Sequence, residues 1–224
     1  MSLPEIEPPS APFVDRRDAG RQLTERLPAL ENESPVVLAL PRGGVPVATE
    51  IAAALDAPLG IVVARKLARA QNPEFGVGAL AENGTLVVDH EAARVLGLSN
   101  GELEQIVARE AEELARRVRA YRGERPPLDL EGRTAIVVDD GVATGLTDTA
   151  ALRAVRRRGP RRVVLAVPVC APDALERLEA EADEVVCLLA PRLLRSVSQH
   201  YLDFSQVSDR EVLDALQSRA DAAA

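Results

Sequence analysis

Short apolar runs and helix-period segments alternate along most of the chain. The runs are Val36–Leu40, Gly60–Arg65, Phe75–Ala81, Thr85–Asp89, Ala135–Val138, Arg162–Cys170 and Val185–Leu189. Their short length and content of β-branched residues predict strands. Ala135–Val138 has no polar alternation at all, which predicts a strand buried on both faces. Asn83-Gly84 between two of the runs predicts a hairpin. Helical spacing appears over Asp15–Leu30, through Ala19, Leu23, Leu27 and Leu30, and over Val45–Leu55. It continues in Glu91–Leu96 and, after a break at Gly97–Gly101, in a long run to Arg122. That run carries one stripe of Leu103, Ile106, Val107, Ala111, Leu114, Val118 and Tyr121. A helix ending near Gly159, another over Pro172–Ala182 and a last one over Asp209–Ala220 complete the pattern. Ser99 with Glu102, and Ser208 with Glu211, fit capping boxes. Alternation from Val36 to Leu189 predicts an α/β domain with a mostly parallel sheet flanked by helices. The expected organisation is a disordered leader over 1–12, one domain over 13–207 with a helical insert at 91–122, and a C-terminal helix over 208–224.

Chemistry concentrates where strands hand over to helices. Ala135–Thr147 reads AIVVDDGVATGLT, an apolar strand followed by Asp139 and Asp140, a small-residue turn and a helix start. Such a turn forms a nest of backbone N–H groups at the positive end of a helix dipole, suited to a phosphate. Adjacent carboxylates in a dry core would repel one another, so they should face solvent, hydroxyl groups or a metal. A phosphorylated sugar with free hydroxyls satisfies both parts; an ordinary strand-to-helix turn with acids near a helix N-terminus is the plainer alternative. Pro41-Arg42-Gly43-Gly44, after the first strand, repeats the layout, with adjacent glycines permitting close backbone approach and Arg42 offering a charged fork. By itself that turn also fits a simple tight turn.

Ala135–Thr147 resembles the phosphoribosyl diphosphate (PRPP) binding motif of the type I phosphoribosyltransferases, in which two acids precede a loop of the form ATGGT. Here the acids are Asp139 and Asp140 and the loop is Ala143, Thr144, Gly145, Leu146 and Thr147. Gly141 replaces a bulkier apolar residue usual in the family, and Leu146 a common glycine; neither change removes a backbone donor. The resemblance implies a Rossmann-like type I fold over roughly 36–204, with a β-hairpin lid and a small C-terminal hood at 190–207. It implies transfer of the 5-phosphoribosyl group from PRPP to a nitrogen acceptor, a nucleobase, with release of pyrophosphate. Residues 143–147 would then hold the 5-phosphate, while Asp139 and Asp140 bind the ribose hydroxyls and steady charge at the anomeric carbon. Arg42, Gly43 and Gly44 would hold the pyrophosphate. Lys66, at the head of a polar segment Lys66–Glu74 that also holds Arg69, would close over it as a lid. Mg²⁺ would arrive with PRPP, with Asp139 and Asp140 as its protein ligands if it has any, and no separate metal cage is expected. Tyr201 and Phe204 in the hood would stack the acceptor, or else pin the tail to the core. Enzymes acting on hypoxanthine and guanine commonly carry an aspartate where this chain has Ala143, so the resemblance disfavours a 6-oxopurine. A non-catalytic PRPP- or nucleotide-binding regulator on the same fold stays open, as does a homodimer.

Composition narrows the rest. Hydrophobic residues make up 46% of the 224, enough for a real core, and the formal net charge of −8 argues against nucleic acid as partner. The cluster Arg156–Arg158 with Arg161 and Arg162 fits the end of a helix before Gly159. Cys170 and Cys187 sit in apolar runs and match no metal spacing, which predicts buried free thiols. His90 and His200 are too far apart in sequence to suggest a ligand pair. With no membrane-length apolar run and no signal-peptide pattern, a cytoplasmic protein is expected. No glycine-lysine-serine/threonine sequence with P-loop spacing occurs.

Overall fold

The computed structural model describes residues 12–27, 30 and 33–222; the expected leader falls outside them except for Pro12. Five parallel strands form the main sheet: β1 (Pro35–Ala39), β2 (Leu59–Ile61), β6 (Thr134–Val138), β7 (Arg162–Val169) and β8 (Glu184–Leu189). Their order is β2-β1-β6-β7-β8. The chain therefore builds outward from β1 in one direction and from β6 in the other, and the order reverses between them. Ligand crevices in open α/β sheets lie outside the carboxyl ends of the strands at such a reversal.

Alternate residues of the buried strands face opposite layers. Val37, Ala39, Ile136, Val138, Val164 and Ala166 share one core with α1 (Arg16–Thr24) and α2 (Gly44–Ala54). Val36, Leu38, Ala135, Val137, Val163 and Leu165 share another with α5 (Leu146–Arg156) and α6 (Pro172–Glu179). The continuous apolar runs of the sequence are thus explained by helices on both faces.

The expected strand Gly60–Arg65 and polar lid Lys66–Glu74 are replaced by a different arrangement. The chain leaves the main sheet after Ile61 and starts a second, antiparallel sheet of β3 (Ala64–Arg69), β4 (Asn72–Ala81) and β5 (Thr85–Val88). Lys66 and Arg69 lie within β3, not on a loop. Periodicity misses β3 because its polar residues find partners on α4 (Asn100–Arg122), across the small sheet. Arg65 pairs with the buried Glu110 at 2.7 Å, and Arg69 bonds the carbonyls of Leu96 and Gly97 and the carboxylate of Glu102. The hairpin through Asn83-Gly84 is present as expected, its turn a short 3₁₀ segment. One face of the small sheet packs Ala79 and Ala81 onto Leu146, Ala150 and Ala154 of α5. The other packs Leu67, Val77 and Leu80 onto α4 and the short α3 (His90–Val95). The small sheet is held on both sides.

The helical insert follows its sequence signals, including the reciprocal Ser99–Glu102 capping box. The last helix, α7 (Asp209–Ala222), has the second box from Ser208 and Glu211. Arg156 binds Asp183, and Arg161 and Arg162 bind Glu33, so this basic cluster is structural. Both cysteines are free thiols, raised by burial to about 12 at Cys170 and about 11 at Cys187. Among the described residues no helix is long and apolar enough to cross a membrane. Leu165, fully buried in β7, should be costly to truncate: Leu165→Ala is expected to lose about 2–5 kcal/mol, read as a lower urea midpoint.

Candidate functional site

The two sequence-predicted loops lie side by side at the reversal of strand order. Ala39 pairs with Val138 in the β1–β6 ladder, and Leu40 N–H donates to the Val138 carbonyl at 2.8 Å. The next residues on each strand are therefore Pro41-Arg42-Gly43-Gly44 and Asp139-Asp140, in direct contact. A Cβ on Gly43 would fall on the Asp140 carboxylate, and one on Gly44 would strike the Val138 carbonyl and lie 3.0 Å from the Asp139 Cα. Glycine is needed here for close approach, which the sequence suggested for a ligand and the fold uses for the second loop. The Pro41-Arg42 peptide is cis.

The turn after the acids is tied to β7. Val142 N–H donates to the Val169 carbonyl, the Val142 carbonyl accepts from Ala171 N–H, and Arg177 of α6 donates to the Thr144 carbonyl. Gly141 has φ +155°, in the region that favours glycine, and the space over its Cα is taken by Val197 and Val169. The departure from the family pattern at this position thus has a steric cause. Ala143 and Thr144 are exposed, Thr147 is half-buried, and Leu146 is buried.

Among the described residues four helices begin with a side-chain cap and three, α2, α5 and α6, begin without one. Asp15 caps α1, Asp89 caps α3 and Ser99 caps α4 with side-chain oxygens, and Ser208 does the same for α7. The caps of α2 and α5 are Gly43 and Gly145, and neither supplies a side-chain acceptor. First-turn N–H groups that no cap satisfies are donors for an anion. At α5 the N–H groups of Leu146 and Thr147 are such donors. At α2 the Gly44 and Val45 N–H groups already donate to the Leu40 and Arg42 carbonyls and Pro46 has none, so the charge offered by that loop is the Arg42 guanidinium.

The acids themselves are crowded. Asp140 forms an ion pair of 2.7 Å with Arg16 from α1, and its carbonyl accepts from the Tyr201 hydroxyl at 2.6 Å. Asp139 accepts from the Asp140 N–H at 2.8 Å. Burial, then the neighbouring charges of Asp140 and Asp148, push the Asp139 carboxyl well above the usual carboxylate range. Asp148, in the first turn of α5, is 4% exposed, and its Oδ1 has no hydrogen-bond partner. Burial raises it to about 7 against the pull of its own N–H, with Asp140 adding to the rise. The residues fit a divalent cation that arrives with phosphates: hard oxygen donors in excess over the cation paired with them. Among the described residues no cluster of three or more metal-ligating side chains forms a cage.

Sequence reasoning missed Arg16 and Asp148. Arg16 lies 124 positions from Asp140 and looks like any polar residue at a helix start. Asp148 looks like an acid placed to suit a helix dipole, and only the packing of α5 shows that it is buried. Tyr201 is placed otherwise than base stacking requires: its ring is buried between Phe13, at 5.3 Å, and Phe204, at 4.9 Å. Phe204 in turn has the Arg16 guanidinium 3.7 Å from its ring centre. Both aromatics pin the hood to the core. Lys66 sits in the small sheet with its stem along Gly76, and Arg42 reaches Asp209 of α7 at 3.5 Å.

Because Asp148 is raised in the folded state, its contribution to stability is full below the unfolded carboxylate value and is lost as pH rises through about 7. Asp148→Asn should remove that loss. In urea unfolding across pH, the variant should gain on the parent between about pH 4 and pH 8, on the order of a few kcal/mol. Parallel pH profiles would contradict the burial argument.

Residues 17–196 match the phosphoribosyl transferase domain family. A relative in Mycobacterium tuberculosis (strain H37Rv), itself named a phosphoribosyl transferase only provisionally, is 45% identical over 201 residues, covering 90% of this chain and 45% of its own length. The chain thus spans about half the length of the curated relatives it matches over most of its residues. The crystal structure of TT1426 from Thermus thermophilus is 47% identical, with TM-score 0.76 over 92% of this chain and 98% of that one. AQ2163 from Aquifex aeolicus, 14% identical with TM-score 0.51 over 90% of this chain and 84% of its own, shares the fold. With the family match covering most of the chain and the motif placed at the strand-order reversal, this chain belongs to the phosphoribosyl transferase family.

Proposed function

We propose that the crevice between the β1 and β6 loops binds PRPP and transfers its 5-phosphoribosyl group to a nitrogen acceptor, releasing pyrophosphate. The observation that carries this reading is the uncapped start of α5 on one side of a carboxylate pair and the Arg42-bearing loop in contact with its other side. A ligand that satisfies it has anionic groups at both ends and hydroxyls between them. Residues 143–147, with the Thr144 and Thr147 hydroxyls, hold the 5-phosphate. Arg42, Gly43 and Gly44 hold the pyrophosphate. Asp139 and Asp140 accept from the ribose hydroxyls, and their charge favours the positive character that grows at the anomeric carbon as its bond to pyrophosphate oxygen lengthens. The carbon–oxygen bond breaks with its electron pair on pyrophosphate, the acceptor nitrogen supplies the pair for the new bond, and the acceptor proton passes to solvent. Asp139 and Asp140 would hold a Mg²⁺ ion arriving with PRPP, which would supply positive charge to offset that of the pyrophosphate. Arg42 must exchange its contact with Asp209 for the ligand, a weak and half-exposed contact to give up.

The acceptor we favour is a nucleobase other than a 6-oxopurine, since exposed Ala143 offers no group for proton transfer. A second reading, a non-catalytic PRPP- or nucleotide-binding regulator, draws support from the packing of Arg69 and Tyr201, which commits both to structural contacts. Calorimetric titration of PRPP with and without Mg²⁺, followed by a pyrophosphate-release assay over a panel of bases, separates the two: binding without release on any base favours the regulator.

Asp139→Asn with Asp140→Asn should weaken PRPP binding at least about tenfold by loss of charge-assisted hydrogen bonds. Circular dichroism should show the fold retained. Unchanged affinity in the folded double variant would remove the acids from the site.

A further inference from the structure

A second concave site lies at the far edge of the sheet, beside β2. It is a cavity of about 280 Å³ enclosed by β2, residues 125–128, the end of α4 and α7. Its wall is apolar, formed by Leu38, Leu59, Pro127, Leu128 and Leu216. An outer groove between α4 and α7 shares Tyr121, Arg122, Arg125 and Leu216 with it and gives a way in from solvent.

Three guanidinium groups border this apolar space, and their partners are unequal. Arg122 pairs with Glu82 at 2.8 Å. Arg125, which is exposed, donates to the neutral amide oxygen of Gln217 at 3.1 Å and forms no ion pair among the described residues. Arg219 donates to the carbonyls of Ala52 and Ala57, and its Nε is buried without a hydrogen-bond partner. Arg158 stands behind the wall, bonded to the Leu128 carbonyl. In a chain of net charge −8, this is a pocket with an excess of cations over the acids that pair with them. A buried, unpartnered guanidinium nitrogen such as Arg219 Nε against apolar surface is costly, and an anion with an apolar body relieves it, with the exposed Arg125 at the mouth adding charge.

We propose that this cavity binds a small amphipathic carboxylate, its apolar body against Leu59, Leu128 and Leu216 and its carboxylate within reach of Arg125 and Arg219. The volume is at the lower end of small-molecule pockets and suits a body of about eight carbons. The site is separate from the β1 and β6 loops and does not rest on their assignment. Its occupant touches Tyr121, whose hydroxyl donates to Asp209 at 2.6 Å, and Asp209 is the acid that holds Arg42. Ligand here sits one side chain from the contact that positions the proline-arginine-glycine-glycine loop.

Calorimetric titration of the full chain with octanoate, octanol and octylamine tests the proposal. Octanoate should bind saturably with one site per chain, octanol at least about tenfold more weakly, and octylamine not at all. Leu216→Trp, which fills the cavity, should abolish octanoate binding, and Arg219→Met should weaken octanoate at least about tenfold while leaving octanol unchanged. Amide shift mapping on the unaltered protein provides a check that no variant's folding can confuse. Octanoate should move the Gly60 and Gly123 signals and leave Gly145 in place. Absent or unsaturable octanoate binding, equal affinity for octanol, or shifts centred on Gly43 and Gly145 would overturn it.

Discussion

The structure depends on what meets at Asp140. Its carboxylate rests over Gly43 of the neighbouring loop, is paired by Arg16 from the first helix, and its carbonyl takes the hydroxyl of Tyr201 from the hood. Arg16 continues to the Ser205 carbonyl and covers the ring of Phe204. Three segments remote in sequence, the β1 loop, the first helix and the hood, are thereby fixed relative to Asp140. The pair is largely removed from solvent, with side-chain exposures of 10% and 15%. A buried pair adds little net stability over apolar packing, but removal of one partner leaves an uncompensated charge at a cost of about 3–5 kcal/mol. The contact therefore acts less as a source of stability than as a constraint that makes the hood and the first helix follow the acid.

That constraint explains how carboxylates and anion-binding loops coexist. Wherever they ionise, Asp139, Asp140 and Asp148 would repel a phosphate placed among them, and burial together with this same repulsion raises Asp139 and Asp148. The start of α5 and the Arg42 loop follow two different strands, so anionic groups held by them would be kept apart from the acids. Only a ligand whose charges are divided between its ends, with an uncharged or cationic middle, profits from both features. A single phosphate would gain one loop and suffer the acids; a neutral sugar would gain the acids and leave the N–H groups with water.

The parts of this arrangement that were legible in the sequence are those encoded locally. The apolar run into Asp139 and the glycine pairs after each strand are contiguous signals, and so are the capping boxes at Ser99 and Ser208. They placed the main strands, the insert and both loops to within a few residues. β3 was not legible because Arg65, Lys66 and Arg69 make it look like solvated loop, and Arg65 and Arg69 are satisfied by Glu110 and Glu102, which lie more than thirty residues on. Arg16 was illegible for the same reason: its meaning exists only once Asp140 lies beside it. The hood aromatics were read as either ligand contacts or anchors, and composition had no means of choosing. Phe13 draws Tyr201 into the core through paired hydrogen bonds, Phe13 N–H to the His200 carbonyl and Leu202 N–H to the Phe13 carbonyl, each 2.8 Å, while Phe204 stays half-buried.

The rigidity of the small sheet moves the problem of closure elsewhere. With α5 on one face and α4 on the other, β3 to β5 cannot fold over the crevice without breaking the Arg65–Glu110 and Arg69–Glu102 pairs and exposing Leu67 and Val77. The segment that already overhangs the acids is the 3₁₀ turn Val197–His200, whose Val197 occupies the space above Gly141. Because Tyr201 follows that turn directly and is tied to the Asp140 carbonyl, the turn and the acids move as one unit. The exposed Ser198 and Gln199 therefore stand beside the acids through contacts already present in the fold, the Tyr201 bond to the Asp140 carbonyl and the packing of Val197 over Gly141.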